Sequence, residues 1–211
     1  MRQNAAELSE ADRRKDEFIA MLAHELRNPL APILNALEIL QRPGAVGATT
    51  VSAVGMMERQ VHQIARLVDD LLDVSRISRG KIELRRARIE LGSVIQHVLE
   101  VARPLCQRLE HQLSVSLPSS PVYLNADPQR LTQVLGNLLN NACKFTQRGG
   151  QIMLTAELEG SQVAIRVSDN GIGIAAEQRS RIFELFVQAD TSLGRAESGI
   201  GIGLSLVKTL V

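Results

Sequence analysis

His24-Glu25 is the first pair in this chain able to do nucleophilic or acid–base work. At about 100° per residue, Phe18, Ile19, Leu22, Leu26, Leu30, Ile33, Leu37 and Leu40 gather on one side of a helix. His24 falls roughly opposite their centre, so its imidazole is expected to face water. A structural histidine would sit inside that apolar arc, and a metal ligand would want a second His or Cys that this helix lacks. Far downstream, Asn137, Asn141 and Lys144 are spaced by four and three residues, which puts them on one helix face. Neutral oxygen ligands beside a lysine suit a magnesium-bound polyphosphate, although solvated helix polars share the same spacing. Two glycine clusters follow, Asp169-Asn170-Gly171-Ile172-Gly173 and Gly199-Ile200-Gly201-Ile202-Gly203. Such spacing lets main-chain N–H groups approach a ligand, and the second cluster opens a helix whose N-terminus favours phosphate. An Asp-Asn-Gly at a strand end is more often a plain turn than a site.

Positioning these groups requires two kinds of structure. From Leu8 to Leu40 the pattern is helical, interrupted by Pro29 and Pro32, which cannot donate to the carbonyls of Glu25 and Asn28. The rod either bends there or restarts with Asn28 as cap and Pro29 as first residue. After loop chemistry at residues 41–47, a second helix is expected from about Val51 to Ile77, with Val54, Met57, Val61, Ile64, Val68 and Leu71 at coiled-coil spacing. A lone pair of helices leaves much of that stripe exposed, so a homodimeric four-helix bundle is the expectation. Beyond residue 80 the pattern turns mixed. A short strand is expected at 82–86, a helix from Leu91 to Leu109, strands around 113–117 and 122–125, and a helix opened by Asp127-Pro128. A turn at residues 147–150 then leads into strands 152–158 and 163–168. The result is an all-α helical hairpin, residues 1–79, followed by an α+β layer of one mixed sheet covered by helices, residues 80–211.

The rest of the composition excludes more than it assigns. Of 211 residues, 45% are hydrophobic and 22% charged, which is ordinary for a folded domain. Aromatics make up 2%, and the formal net charge is +1, so neither base stacking nor bulk charge points to nucleic acid. Cys106 and Cys143 match no ligand spacing, which argues against a disulfide framework or zinc, and Cys143 is expected as a small buried apolar residue. No apolar run approaches a bilayer span and the N-terminus lacks a signal-peptide core, so a cytoplasmic segment without membrane contact is expected, whatever a longer parent protein reaches.

The order His24-Glu25-Leu26-Arg27-Asn28-Pro29-Leu30, then Asn137 to Thr146, Asp169 to Ile174, Phe183-Glu184-Leu185-Phe186 and Gly199 to Leu204 resembles the H, N, G1, F and G2 boxes of sensor histidine kinases of two-component systems. The resemblance implies a dimeric phosphoacceptor hairpin followed by a Bergerat-type ATP-binding sandwich of the GHKL superfamily, with ATP and Mg²⁺ as ligands and a response-regulator receiver domain as partner. It implies His24 as the nucleophile, Glu25 as the group that accepts or orients the imidazole proton, and Asn28 as a residue placing water on a partner phosphoaspartate. It further implies Asn141, helped by Asn137, as the metal ligand, Lys144 on the phosphates, and Phe145 within the nucleotide site. Asp169 would meet the adenine amino group and Gly171 and Gly173 the base. Gly199, Gly201 and Gly203 would hinge a mobile lid at residues 175–198, anchored by Phe183 and Phe186. Ile200 and Ile202 replace the usual Thr and Leu. The family continues past Val211 into closing strands, so the sandwich is expected to lack its last strands and to show an unpaired edge. Two alternatives are a GHKL-type ATPase, which normally carries a Glu where Asn137 stands, and a non-catalytic dimerisation or docking module.

Overall fold

In the computed structural model, the residues described are 2–41, 47–77, 83–184, 187 and 201–211, and they fall into two compact units. The first unit holds two long helices, α1 (Arg2–Gln41) and α2 (Ala48–Ile77). Helix α1 runs through both Pro29 and Pro32 without a break. The restart at Asn28-Pro29 is therefore not what this sequence does. Pro29 is buried, so its ring is accommodated by packing. Helix α2 begins at Ala48, three residues ahead of the expected start. Of the apolar stripes, Val61 is 55% exposed, Ile19 52% and Leu30 47%. The turn at 42–46 lies outside the described residues.

The second unit contains β1 (Ala87–Glu90), α3 (Leu91–Arg108), β2 (Gln112–Ser116), β3 (Tyr123–Ala126), α4 (Pro128–Phe145), β4 (Gln151–Glu159), β5 (Gln162–Asp169) and α5 (Gly203–Leu210). The strand expected at 82–86 is displaced to β1. Residue 82 is outside the described residues, and 83–86 carry no strand. A physical reason is visible at Arg85, whose backbone N–H is taken by the Asp127 carboxylate at 2.9 Å rather than by a strand neighbour. The strands form two ladders. β1 pairs antiparallel with β3, while β2, β4 and β5 form a mixed sheet, parallel between β2 and β4 and antiparallel between β4 and β5. Among the described residues β5 has a ladder partner on one side only.

The core of this unit lies where α3 and α4 cover the sheet. Leu91, Val94, Ile95 and Val98 from α3 meet Leu135, Leu139 and Ala142 from α4 over Ile152, Leu154 and Ala156 of β4. β4 alternates as a strand with one covered face must: Ile152 and Leu154 are fully buried, while Met153 between them is 46% exposed. Each large side chain so buried contributes roughly 1.5–3 kcal/mol. Helix α4 starts where the sequence says. Asp127 Oδ1 accepts from the N–H groups of Gln129 and Arg130, and Pro128 occupies the first turn, where no N–H is needed. Burial alone would push the Asp127 carboxyl up, but the N–H groups of Arg85, Arg130 and Gln129, with the Arg130 charge, hold it below the usual carboxylate range.

Candidate functional site

Helix α4 is the spine of the candidate site. Its apolar faces are committed to the core through Leu135, Leu139 and Cys143, all buried. Asn137, Asn141 and Lys144 project from the remaining face and are each half-buried, so they are not simply solvated helix polars. Asn137 Nδ2 lies 3.4 Å from the carbonyl oxygen of Gly203, the first residue of α5. A Cβ added at Gly203 would stand 3.4 Å from Asn137 Cγ, so the glycine permits this close approach. Gly201 just before it has φ +73°, a left-handed backbone that suits glycine. The N-terminus of α5 is thereby held beside Asn137, and its first N–H groups have no acceptor within the helix. Ile202, at the position before α5, is 2% exposed. Gly199 and Ile200 lie outside the described residues.

The C-terminal end of the same helix receives the first glycine cluster. β5 ends at Asp169, and Asp169 Oδ1 accepts from the N–H of Gly171 at 2.9 Å, closing a local turn. Ile172 then donates its N–H to the carbonyl of Phe145 at 3.2 Å. A Cβ at Gly171 would sit 2.4 Å from that carbonyl oxygen, so only glycine lets the turn lie against the helix end. Gly173 has φ +69° and is exposed. Ile172 and Ile174 are 50% and 42% exposed, apolar groups presented outward from the turn. Lys144 Nζ lies 5.1 Å from the centroid of the Phe145 ring. Thus Asn137, Lys144, Phe145, Asp169, Gly171 and Gly203 are joined by direct contacts through α4. Of the expected lid, a short 3₁₀ turn at Ala176–Gln178 is described, as is Phe183, whose ring lies 5.9 Å from Lys208 Nζ of α5. Phe186 and most of residues 185–200 lie outside the described residues.

Sequence reasoning missed the groups that support this arrangement from behind. In the sequence Asn170 shows turn chemistry and nothing more. Its Oδ1 accepts from Gln151 N–H at 2.7 Å and its N–H donates to Gln151 O, tying the turn to the start of β4. His111, 8% exposed, donates its backbone N–H to Cys106 O at 2.8 Å, and its Nε2 lies 3.0 Å from Cys143 O in the last turn of α4. Thr146 caps that turn and is 2% exposed. A hydrophilic residue type in a polar loop carries no advance sign of such burial.

In the first unit, His24 is exposed, as its place opposite the apolar arc requires, and Asn28 one turn later is exposed as well. Glu25 differs: it is 8% exposed, so the carboxylate next to the imidazole is drawn into the protein rather than left in water. A second carboxylate in this unit, Asp73, is 4% exposed. No helix among the described residues is long and apolar enough to cross a membrane.

A phosphoacceptor-type helix followed by a nucleotide-type α+β unit is what the two units define. Residues 14–80 match the His Kinase A (phospho-acceptor) domain, and residues 126–211 match the histidine kinase-, DNA gyrase B- and HSP90-like ATPase family. The chain is 35% identical over 210 residues to the sensor protein GacS of Pseudomonas syringae pv. syringae, covering 97% of this chain and 23% of that protein. It is 33% identical over 215 residues to the sensor histidine kinase RcsC of Escherichia coli, covering 100% of this chain and 22% of that one. Among solved structures, full-length ShkA in complex with AMPPNP superposes with a TM-score of 0.63 at 32% identity, over 92% of this chain and 40% of that one. The chain belongs to the sensor histidine kinase family of two-component systems. It spans about a quarter of the length of the curated relatives it matches.

Proposed function

We propose that this chain catalyses ATP-dependent phosphorylation of its own His24 and passes the phosphoryl group to an aspartate of a response-regulator receiver domain. The observation that carries the proposal is the convergence on α4: one helix holds the Asn137–Lys144 face, the Gly171 turn against its end and the α5 N-terminus against its flank. The residues fit a magnesium nucleotide. The glycines at 171 and 203 let the turn and the start of α5 pack against α4, Asn141 and Asn137 offer neutral oxygens for the metal, and Lys144 faces the phosphates. When bound, ATP supplies the phosphoryl group and Mg²⁺ neutralises the phosphate charge.

In this reading Asp169 keeps its turn closed through Oδ1 and presents its carboxylate to the adenine amino group, with Gly171 and Gly173 beneath the base. Lys144 and the first N–H groups of α5 offset negative charge as it shifts along the phosphates. His24, exposed on α1, offers a ring nitrogen as nucleophile, and the Glu25 carboxylate accepts or orients the imidazole proton. Asn28 positions water for hydrolysis of the partner's phosphoaspartate. The exposed apolar residues of α1 and α2, Leu30, Leu34 and Val61 among them, support a homodimer in which a second copy covers them, and the setting is cytoplasmic.

Incubation with γ-labelled ATP and Mg²⁺ tests the proposal. Acid-labile, base-stable label on the protein, absent in His24→Gln, is the expected result. Labelled inorganic phosphate with no protein label would replace the kinase by an ATPase.

A further inference from the structure

Cys106 and Cys143 are distant in sequence, and nothing in the nucleotide chemistry above uses either. In the fold they are brought together: both are buried, at 2% and 1% exposure, and their Sγ atoms are 3.0 Å apart. Cys106 belongs to the last turn of α3 and Cys143 to the last turn of α4. Both backbones are pinned by one residue, since His111 bonds the Cys106 carbonyl through its N–H and the Cys143 carbonyl through Nε2. The sulfurs are thus held in register from both sides. A disulfide requires an S–S distance of about 2.05 Å, so the pair must close by about 1 Å.

We propose that Cys106 and Cys143 form a reversible disulfide that staples α3 to α4 behind the nucleotide face and lowers nucleotide affinity. The coupling half of this inference rests on the function proposed above. Cys143 lies between Asn141 and Lys144 on α4, so drawing it about 1 Å toward α3 displaces the groups assigned to metal and phosphate. Ligand sites lose binding when their groups move on that scale. The oxidant is a small peroxide. One sulfur attacks a peroxide oxygen, the O–O bond breaks, and a sulfenic acid forms while the departing hydroxide takes the thiol proton as water. The second sulfur attacks the first and displaces its hydroxyl, which leaves as water with the second thiol proton. Two thiols lose two electrons in all, and one peroxide becomes two waters. Both sulfurs are buried, at 2% and 1% exposure, so the reaction is slow and records sustained oxidant rather than brief exposure.

The test treats the full chain with hydrogen peroxide, alkylates remaining thiols, digests it and maps peptides by mass spectrometry. A linked pair containing Cys106 and Cys143, two hydrogens lighter than the sum of its parts and separated by dithiothreitol, is expected. Titration with a fluorescent ATP analogue should show roughly tenfold weaker binding in the linked form, restored by reductant. Cys106→Ala and Cys143→Ala, each checked for folding by circular dichroism, should bind as the reduced protein does and ignore peroxide. Both thiols alkylated after oxidation, or either cysteine carried singly to sulfinic acid, would overturn the pairing. A linked form with unchanged affinity would overturn the coupling. A reduced protein that binds no nucleotide would sink the kinase reading and the coupling together, while the peptide map still decides the sulfur pair.

Discussion

Replacing Gly171 by alanine tests whether the first glycine turn must lie against the end of α4. The new Cβ would stand 2.4 Å from Phe145 O, 2.8 Å from Phe145 C and 2.7 Å from Asp169 Oδ1. Two of these atoms are helix backbone and cannot swing aside. Ordinary contact begins at 3.4 Å, so the turn must retreat by about 1 Å. That retreat stretches the Ile172 N–H···O=C Phe145 bond, already 3.2 Å, and carries Asp169 and Gly173 with it. Overpacking costs about 1–3 kcal/mol and the lost hydrogen bond about 1 kcal/mol. Added, these give a loss of roughly 2–4 kcal/mol, below the 5–15 kcal/mol of a typical domain, so the variant stays folded.

The effect on nucleotide binding should be larger than the effect on folding, because a displacement of about 1 Å in a positioned site costs up to about 100-fold. Gly173→Ala is the internal control. No atom stands within 4 Å of its added Cβ, and its φ of +69° imposes only left-handed strain, about 1–2 kcal/mol. Urea denaturation and titration with an ATP analogue, run on both variants, should rank Gly171→Ala as the worse in each assay. Binding by Gly171→Ala within twofold of the parent, with an unchanged denaturation midpoint, would refute the contact on which the site is built.

Asp127→Ala removes the cap of α4 and the acceptor for Arg85, and should cost about 1–2 kcal/mol near neutral pH in urea melts. Because the folded carboxyl sits below its ordinary value, its stabilisation is complete above that value and is lost as pH falls through the lowered one; the variant should flatten this acidic limb. Cys143 acts at the other end of the scale. Its thiol is raised from the ordinary 9.0 to about 12, so the unfolded chain ionises first and stability falls as pH rises through that window, a slope that Cys143→Ala should lack. Asn141→Asp places an acidic group on the face of α4 proposed to meet the phosphates and should weaken nucleotide binding while light scattering finds the dimer mass unchanged. Dissociation instead would remove Asn141 from the site.

The parts of the fold legible in advance were those in which one residue type leaves the backbone one good option. Asp127-Pro128 supplies an acceptor for two orphan N–H groups and a residue that needs none, and α4 starts there. Leu91 to Leu105 repeat at helical spacing, and α3 buries that face. The misplaced strand at 82–86 failed because period-two patterning says nothing about competitors for an N–H, and the Asp127 carboxylate, 42 residues away, claims that of Arg85. The burial expected of Cys143 holds, but the meeting of the two cysteines was not legible, for a related reason. Spacing rules for thiols assume ligands close along the chain, whereas here α3 and α4 bring together two residues 37 apart.

For the candidate site the same distinction separates what can be named from what can be built. Asn137, Asn141 and Lys144 are recognisable by spacing because a helix fixes their common face from within one segment. The atoms that make this face a receptacle are mostly backbone: Phe145 O receiving Ile172 N–H, Gly203 O beside the Asn137 amide, and the N–H groups at the start of α5. A carbonyl has no identity in a sequence, and its availability depends on where the helix ends. That end is set by Thr146 and fastened by His111. Glycines are the one trace such contacts leave, since a backbone surface that must be approached closely excludes Cβ from whatever approaches it. Gly171 faces the end of α4 and Gly203 its flank for this common reason. Gly171 and Gly203 are thus the imprint of one helix on two glycine clusters.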